Sequence, residues 1–324
     1  MPTVSKSSLP CIILTGPTGV GKTDALQIIR RIVQESCRCQ AETVCADAFQ
    51  AYRGLDIGTA KPSKEDLQRN PYHLIDIFDP HEQYSAGRFF TMAETACREI
   101  ADRGNIPVLE GGSVFYLYTF LTGMPESPPA SADIRKQVRQ EAAEKGNAWL
   151  FRELQRLDPV SAARIPEGDT YRLKRALEVC RQSGRPASSF SAPAEIRETL
   201  QPLVLGLMRE RSALYERIDV RVQKMFDAGL PDEVDYLRRS GYSPSDPGLR
   251  AIGYREFWDE NGIFLKNPAE TMRLIQRNTR RLAKRQITFL QRIPQITLIA
   301  GDDTRTIAAR TAEFCQGLDV SRRR

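Results

Sequence analysis

Residues 16–23 read Gly16-Pro17-Thr18-Gly19-Val20-Gly21-Lys22-Thr23, which fits the phosphate-loop pattern G-x-x-x-x-G-K-[ST]. An apolar run, Cys11-Ile12-Ile13-Leu14-Thr15, precedes it as a buried strand, and Ala25, Leu26, Ile28 and Ile29 follow with helical spacing. Strand before and helix after is the context this loop needs. The glycines let backbone N–H groups curl around phosphate oxygens, and the helix N-terminus adds positive potential. Lys22 supplies a point charge for outer phosphates. The Thr23 hydroxyl can ligate Mg²⁺.

Working outward, strand and helix alternate through the first hundred or so residues. Strands are expected at 11–15, 43–46, 73–77 and 106–109, and helices at 22–36 and 86–103. This is the pattern of an α/β fold: a P-loop NTPase-like parallel sheet core with helices on both faces. Ligands of such sheets bind beyond the carboxyl ends of the strands, where the loop, Asp47 and Gly111-Gly112-Ser113 all fall. A turn-rich break at 122–129 and another at 184–193 bracket short amphipathic helices at 132–145, 149–157 and 171–183. The expected organisation is a core of 1–125 and 201–305, a small all-helical domain inserted at 126–200, and a flexible tail at 306–324. After a strand at 203–207 the remainder reads as helical, with helices at 211–228, 231–240 and 270–292. In the last of these Met272, Ile275, Thr279, Leu282, Gln286 and Phe289 form a core-facing stripe.

The chain has 324 residues, 41% hydrophobic and 27% charged, as in globular proteins. No apolar stretch reaches membrane-spanning length and the first ten residues carry no signal-peptide core, so a cytoplasmic protein without membrane contact is expected. Seven scattered cysteines and only two histidines, His73 and His81, argue against a zinc site and for reduced thiols. The net charge is +6, and between Arg273 and Arg292 seven basic residues occur without one acid. That run is either a solvated helix face or a contact for a nucleic-acid backbone.

Asp47 closes the second strand on the ligand edge. It can act there as a general base, a helix N-cap or a partner of a bound Mg²⁺. No Asp follows an apolar strand in the manner of an ordinary ATPase; Glu110 is the nearest acid. Two stretches, Tyr171-Arg172-Leu173-Lys174-Arg175 and Arg250-Ala251-Ile252-Gly253-Tyr254-Arg255, pair cations with aromatic rings, which suits phosphate contact with base stacking or a plain surface. Read without any family likeness, these residues leave open a small-molecule kinase using the loop for ATP and a protein that binds nucleic acid.

Taken together these residues resemble the tRNA dimethylallyltransferases (isopentenyl- or IPP transferases of bacterial type) over nearly the whole chain. The resemblance is carried by 16–23, Asp47, Asp56-Ile57-Gly58-Thr59-Ala60-Lys61-Pro62, Gly111-Gly112, Gly253-Tyr254-Arg255 and Ala283-Lys284-Arg285-Gln286-Ile287-Thr288. It implies transfer of a dimethylallyl group from its diphosphate to N6 of adenine 37 in tRNA, by a monomer using Mg²⁺. Asp47 would be the base, Ser113 would lie near the reacting atoms, and Arg221 would steady the departing charge. Residues Gly16 to Thr23 would hold the diphosphate, Thr23 also the metal. Contacts with tRNA would come from Asp47, Ala48, Phe49, Gln50, Ser113, Arg135 and the two cation–aromatic stretches. Ala48 stands where the family has Ser, Ser113 where it has Thr, and Glu110 where it has an apolar residue.

Overall fold

The computed structural model describes residues 8–190, 193–265 and 267–322. Ser191 and Ala192 of the second expected break, and Arg323 and Arg324 of the expected tail, lie outside them. Strand β1 (Leu9–Thr15) is buried on both faces, and Cys11 to Leu14 are fully inaccessible. It lies inside a six-stranded sheet of order β3-β2-β4-β1-β5-β6, made with β2 (Ala41–Cys45), β3 (Tyr72–His73), β4 (Ile106–Gly111), β5 (Leu200–Met208) and β6 (Thr297–Ala300). Every pairing is parallel, so all carboxyl ends share one edge. A buried parallel sheet needs helices on both faces, and the alternation along β1 shows both. Ile12 and Leu14 pack with Leu26, Ile29 and Val33 of α1 (Lys22–Cys37). Cys11 and Ile13 pack with Phe89, Ala93 and Cys97 of α3 (Ala86–Asp102), which follows the short α2 (Lys64–Arg69).

Four sequence expectations change. The strand expected at 73–77 stops at His73, because Leu74 (φ 65°) and Asp76 (φ 54°) turn left-handed and carry the chain out of the sheet. There Ile77 and Phe78 donate instead to the Ala51 carbonyl. The C-terminal part holds a strand, β6, which adds to β5 as a four-residue edge. Only Ile299 of it is buried, so no periodic signal marked it. The expected tail is a helix, α11 (Thr304–Arg322). Ile307, Thr311, Cys315 and Leu318 recur at helical spacing, and Ile307, Cys315 and Leu318 close the core beside α1.

The fourth change concerns the insertion, which runs from Thr122 to Ala194 rather than over 126–200. Residues 195–200 belong with the sheet. Arg197 donates to the Phe120 carbonyl at 3.0 Å and pairs with Glu94 at 2.8 Å. The short α4 (Val114–Thr122) leads from β4 to the insertion. The inserted unit contains α5 (Ala132–Leu157), broken at Gly146 (φ 73°, ψ 178°), then α6 (Pro159–Ala162) and α7 (Thr170–Ser183). Its own core includes Val138, Leu150, Leu154, Leu173 and Leu177. Asp158 is fully buried there and accepts from the amides of Ser161 and Ser188 and the Ser188 hydroxyl. Burial pushes that carboxyl up, but these hydrogen bonds outweigh it and hold it below its ordinary range.

After β5 come α8 (Arg211–Asp227), α9 (Leu230–Arg239) and the long α10 (Pro268–Leu290). The buried residues of α10 are Thr271, Ile275, Ala283, Gln286 and Leu290. Arg273, Arg277, Arg281, Lys284 and Arg285 are exposed. Because Ile307 is 1% exposed, Ile307→Ala is expected to cost about 2–5 kcal/mol in urea unfolding. An unchanged midpoint would mean that this segment is the loose tail its sequence suggested.

Candidate active site

At the carboxyl end of β1 the Thr15 hydroxyl donates to the Gly111 carbonyl at 3.1 Å, locking the start of the loop to the end of β4. Gly16 has φ 156°, and a Cβ there would come within 2.8 Å of the Leu207 carbonyl oxygen. Lys22, the first residue of α1, folds its ammonium back over the loop and donates to the carbonyls of Gly16 (3.2 Å) and Pro17 (3.3 Å). Burial holds its pKa below the usual lysine value, and Arg221 adds to this; Glu110 and Asp47 act the other way.

The neighbouring strand ends are clasped. Ser113 donates its amide to the Ala46 carbonyl (3.1 Å), and its Oγ accepts from the Ala48 amide (2.9 Å). A Cβ on Gly111 would lie 2.1 Å from the Ala46 oxygen, so only glycine permits this approach. Asp47 sits inside the clasp, two residues past β2. Its Oδ1 accepts from the amides of Phe49 (2.9 Å) and Gln50 (3.4 Å), an Asx turn that orients the carboxylate. Oδ2 makes no hydrogen bond among the described residues.

Glu110, the residue before the last of β4, is in register with Leu14 on one side and Cys45 on the other. It alternates with Val108, so its side chain projects on the α1 face. Burial lifts its pKa above the usual glutamate value and Asp47 lifts it further, opposed by Lys22 and Arg221. It makes no side-chain hydrogen bond or ion pair among the described residues. Arg221 of α8 is half-buried, and burial lowers its pKa against the pull of Asp47 and Glu110. One turn earlier Arg217 donates to the Gly19 carbonyl at 2.8 Å, so α8 both braces the loop and charges the site. Arg221 also lines a cavity of about 470 Å³ with Asp56, Ile57, Lys61 and Met225.

Of the residues expected from sequence, the loop, Asp47, Ser113 and Arg221 therefore converge on one edge. Others stand elsewhere or serve the frame. The Gln50 amide donates to the carbonyls of Thr59 and Ala60 and accepts from the Cys45 thiol, and Phe49 packs against the core. Tyr254 and Leu173 are fully buried and Ala251 is 1% exposed, so their side chains are not offered to RNA; this corrects those expected contacts. Gly253 is buried and Ile252 half-buried. Arg135, Tyr171, Arg172, Arg250 and Arg255 are exposed, and Lys174 and Arg175 half-exposed. In the basic helix Arg280 pairs with Asp219 of α8, an acid distant in sequence.

Sequence reasoning missed the roles of the residues that hold the frame. Gln286 accepts from the Thr18 amide at 3.0 Å and donates to the Gly112 carbonyl at 2.7 Å, bridging the phosphate loop and the β4 loop. Glu233 of α9 accepts from the amides of Asp56, Ile57 and Gly58 and from the Tyr254 hydroxyl. Lys61, with a 4% exposed side chain, donates to the Tyr52 carbonyl and pairs with Asp56 and Asp76. These partners are 174 and 177 residues apart in two cases, and no local pattern could reveal them.

The family model described as IPP transferase matches residues 50–293. A tRNA dimethylallyltransferase of Nitrosospira multiformis is 41% identical over 289 residues, covering 87% of this chain and 86% of that protein. The crystal structure of the full-length tRNA isopentenylpyrophosphate transferase from Bacillus halodurans aligns with a TM-score of 0.65 at 30% identity, covering 96% and 99% of the two chains. A eukaryotic dimethylallyltransferase, solved acting on tRNA, shares the fold with a TM-score of 0.73 at 22% identity, over 94% of this chain and 77% of that one.

Two outcomes test the site. Tyr254→Phe removes a donor to Glu233 and an acceptor of the Gly58 amide, and should cost about 1–3 kcal/mol in urea unfolding. For Glu110 the folded pKa lies above the unfolded one, so its favourable contribution is present below the ordinary glutamate pKa and lost as pH rises through the folded value. Glu110→Gln should therefore gain thermal stability relative to wild type as pH rises from about 4 to 8. A melting-temperature difference that stays constant over that range contradicts the placement of this carboxyl.

Proposed function

The chain belongs to the IPP transferase family, and from that premise we propose that it transfers a dimethylallyl group from dimethylallyl diphosphate to N6 of adenine 37 in tRNA. The observation that carries the chemistry is Asp47. One oxygen is fixed by its Asx turn, the other is uncommitted, and the carboxylate shares an edge with the phosphate loop, Ser113 and Arg221. Relatives spanning most of the chain are tRNA dimethylallyltransferases, so the kinase reading is not favoured.

In this reaction the N6 nitrogen attacks the allylic carbon, the carbon–oxygen bond to the diphosphate breaks, and the N6 proton passes to Asp47. An adenine amine is a weak nucleophile, and a base within hydrogen-bond reach is worth about 10²–10⁴-fold. The loop amides, Lys22 and the N-terminus of α1 receive the diphosphate, and Arg221 offsets charge that grows as it leaves. The Ser113 Oγ accepts from the Ala48 amide, and its hydroxyl hydrogen can be donated to the substrate. The target base reaches the site by leaving its stack.

Mg²⁺ fits the donors present. The Thr23 hydroxyl on the first turn of α1 is exposed and, like the Glu110 carboxylate, makes no hydrogen bond among the described residues; both are hard oxygen donors. When bound, the ion would neutralise diphosphate charge and make it a better leaving group. The cation-rich faces of α10 and of the inserted unit supply backbone attraction for tRNA. No described helix is long and apolar enough to cross a membrane. We place the enzyme in the cytoplasm as a monomer.

With Mg²⁺, radiolabelled dimethylallyl diphosphate and unmodified tRNA, label should enter the RNA. Asp47→Ala should slow turnover about 10²–10⁴-fold while tRNA affinity stays within a few-fold. Loss of binding with a normal residual rate would contradict the base assignment. Charge reversal at Arg273, Arg277 and Arg281 should weaken tRNA binding and flatten its salt dependence, by roughly one unit of slope for each phosphate no longer neutralised. An unchanged slope would mark that face as merely solvated.

A further inference from the structure

Two residues past Ser113 the chain places an aromatic ring in water. Phe115, on the first turn of α4, is 53% exposed. Its Cα lies within about 7.6 Å of that of Ser113, since successive Cα atoms are about 3.8 Å apart. The ring meets Phe289 of α10 at 6.2 Å between centroids and 88°, and Tyr118 meets the same ring at 5.9 Å and 89°. This perpendicular packing holds part of the Phe115 ring, and more than half of the residue's surface stays exposed. Phe289 lies one turn beyond Gln286, whose amide holds the Gly112 carbonyl, so the aromatic group is anchored to the reactive loop.

Charge surrounds the rings. The Arg292 guanidinium lies over Phe289 at 5.6 Å from its centroid. Lys284, Arg285 and Arg292 are exposed; Arg285 and Phe289 share one stripe of α10, and Arg292 stands in the turn just past its end. An exposed apolar ring near cations that form no ion pair among the described residues, two residues past Ser113, suits a stacked base with its phosphates, and not a protein core. The chemistry adds a reason. Extruding the target adenine leaves its neighbours with one stacking face bare, at a cost of a few kcal/mol that a protein ring can recover.

We propose that Phe115, backed by Phe289 and Tyr118, is a stacking platform for an unpaired anticodon-loop base adjacent to the extruded adenine, with Arg285 and Arg292 holding the neighbouring phosphates. The inference rests on the tRNA reading above. Phe115 itself acts by affinity and orientation, not in the chemistry.

The test uses the whole protein and an anticodon stem-loop carrying 2-aminopurine next to the target adenine. Wild type should bind it and quench the fluorophore. Phe115→Ala and Phe115→Leu should raise Kd roughly fivefold to a hundredfold and lose the quenching, with the salt slope of binding unchanged, because stacking releases no counterions. Phe115→Trp should keep both affinity and quenching. The position is exposed on a helix, and equal melting temperatures would verify folding. A Phe115→Leu protein that binds and quenches like wild type overturns the platform, as does an affinity loss that comes with a shallower salt slope. If wild type itself neither binds nor prenylates the stem-loop, the tRNA reading falls as well. If wild type prenylates normally and Phe115→Leu is indistinguishable, only the platform falls.

Discussion

The reactive edge depends on one close approach, that of the β4 backbone at Gly111 to the Ala46 carbonyl at the end of β2. A side chain at Gly111 would overlap that oxygen, and without the contact the amide of Ser113 could not reach it. The Ser113 hydroxyl could not then hold Ala48, and the Asx turn that aims Asp47 would lose its neighbour. Thr15 ties the same glycine to the phosphate-loop strand, so three strand ends are positioned by a single backbone junction. In the proposed reaction, the Asp47 carboxylate and the phosphate loop would thus be set at a defined spacing before any substrate arrives, which is where positioning contributes to rate.

Around that junction four ionisable groups influence one another: Lys22, Arg221, Asp47 and Glu110. Formally they sum to zero, although the donor proposed for this edge is an anionic diphosphate. The family's usual apolar residue at 110 would leave a surplus positive charge, and Glu110 removes it. The raised pKa of Glu110 and the lowered pKa values of Lys22 and Arg221 are the same fact seen from both signs: burial penalises each charge, and the partners compensate incompletely.

The strings that identify the family are mostly frame and not chemistry. Asp56 to Gly58 present their amides to Glu233, and Lys61 anchors the same loop from below. Tyr254 fills the space that the missing side chain of Gly58 leaves. Gln286, in the middle of a basic stretch, points inward and joins two loops through both ends of its amide. Specific recognition of these motifs and their catalytic value are therefore different things.

What the sequence determined by itself were the local features. Strand, loop and helix at 9–37, the parallel alternation, and the candidates Lys22 and Asp47 were legible because short-range periodicity and the needs of a phosphate cradle write them into nearby residues, whereas the roles of Ser113 and Arg221 came from the family resemblance. The early end of β3, the edge strand β6 and the docking of α11 were decided by tertiary packing, since left-handed turns at Leu74 and Asp76 and a helix stripe spread over twelve residues carry weak local signals. The roles of Glu110, Gln286, Glu233 and Arg217 were also tertiary, as was the burial of Tyr254 that withdraws it from RNA contact. Each depends on partners brought together only by the fold, and hydrogen bonds across such separations leave no periodic trace in the chain.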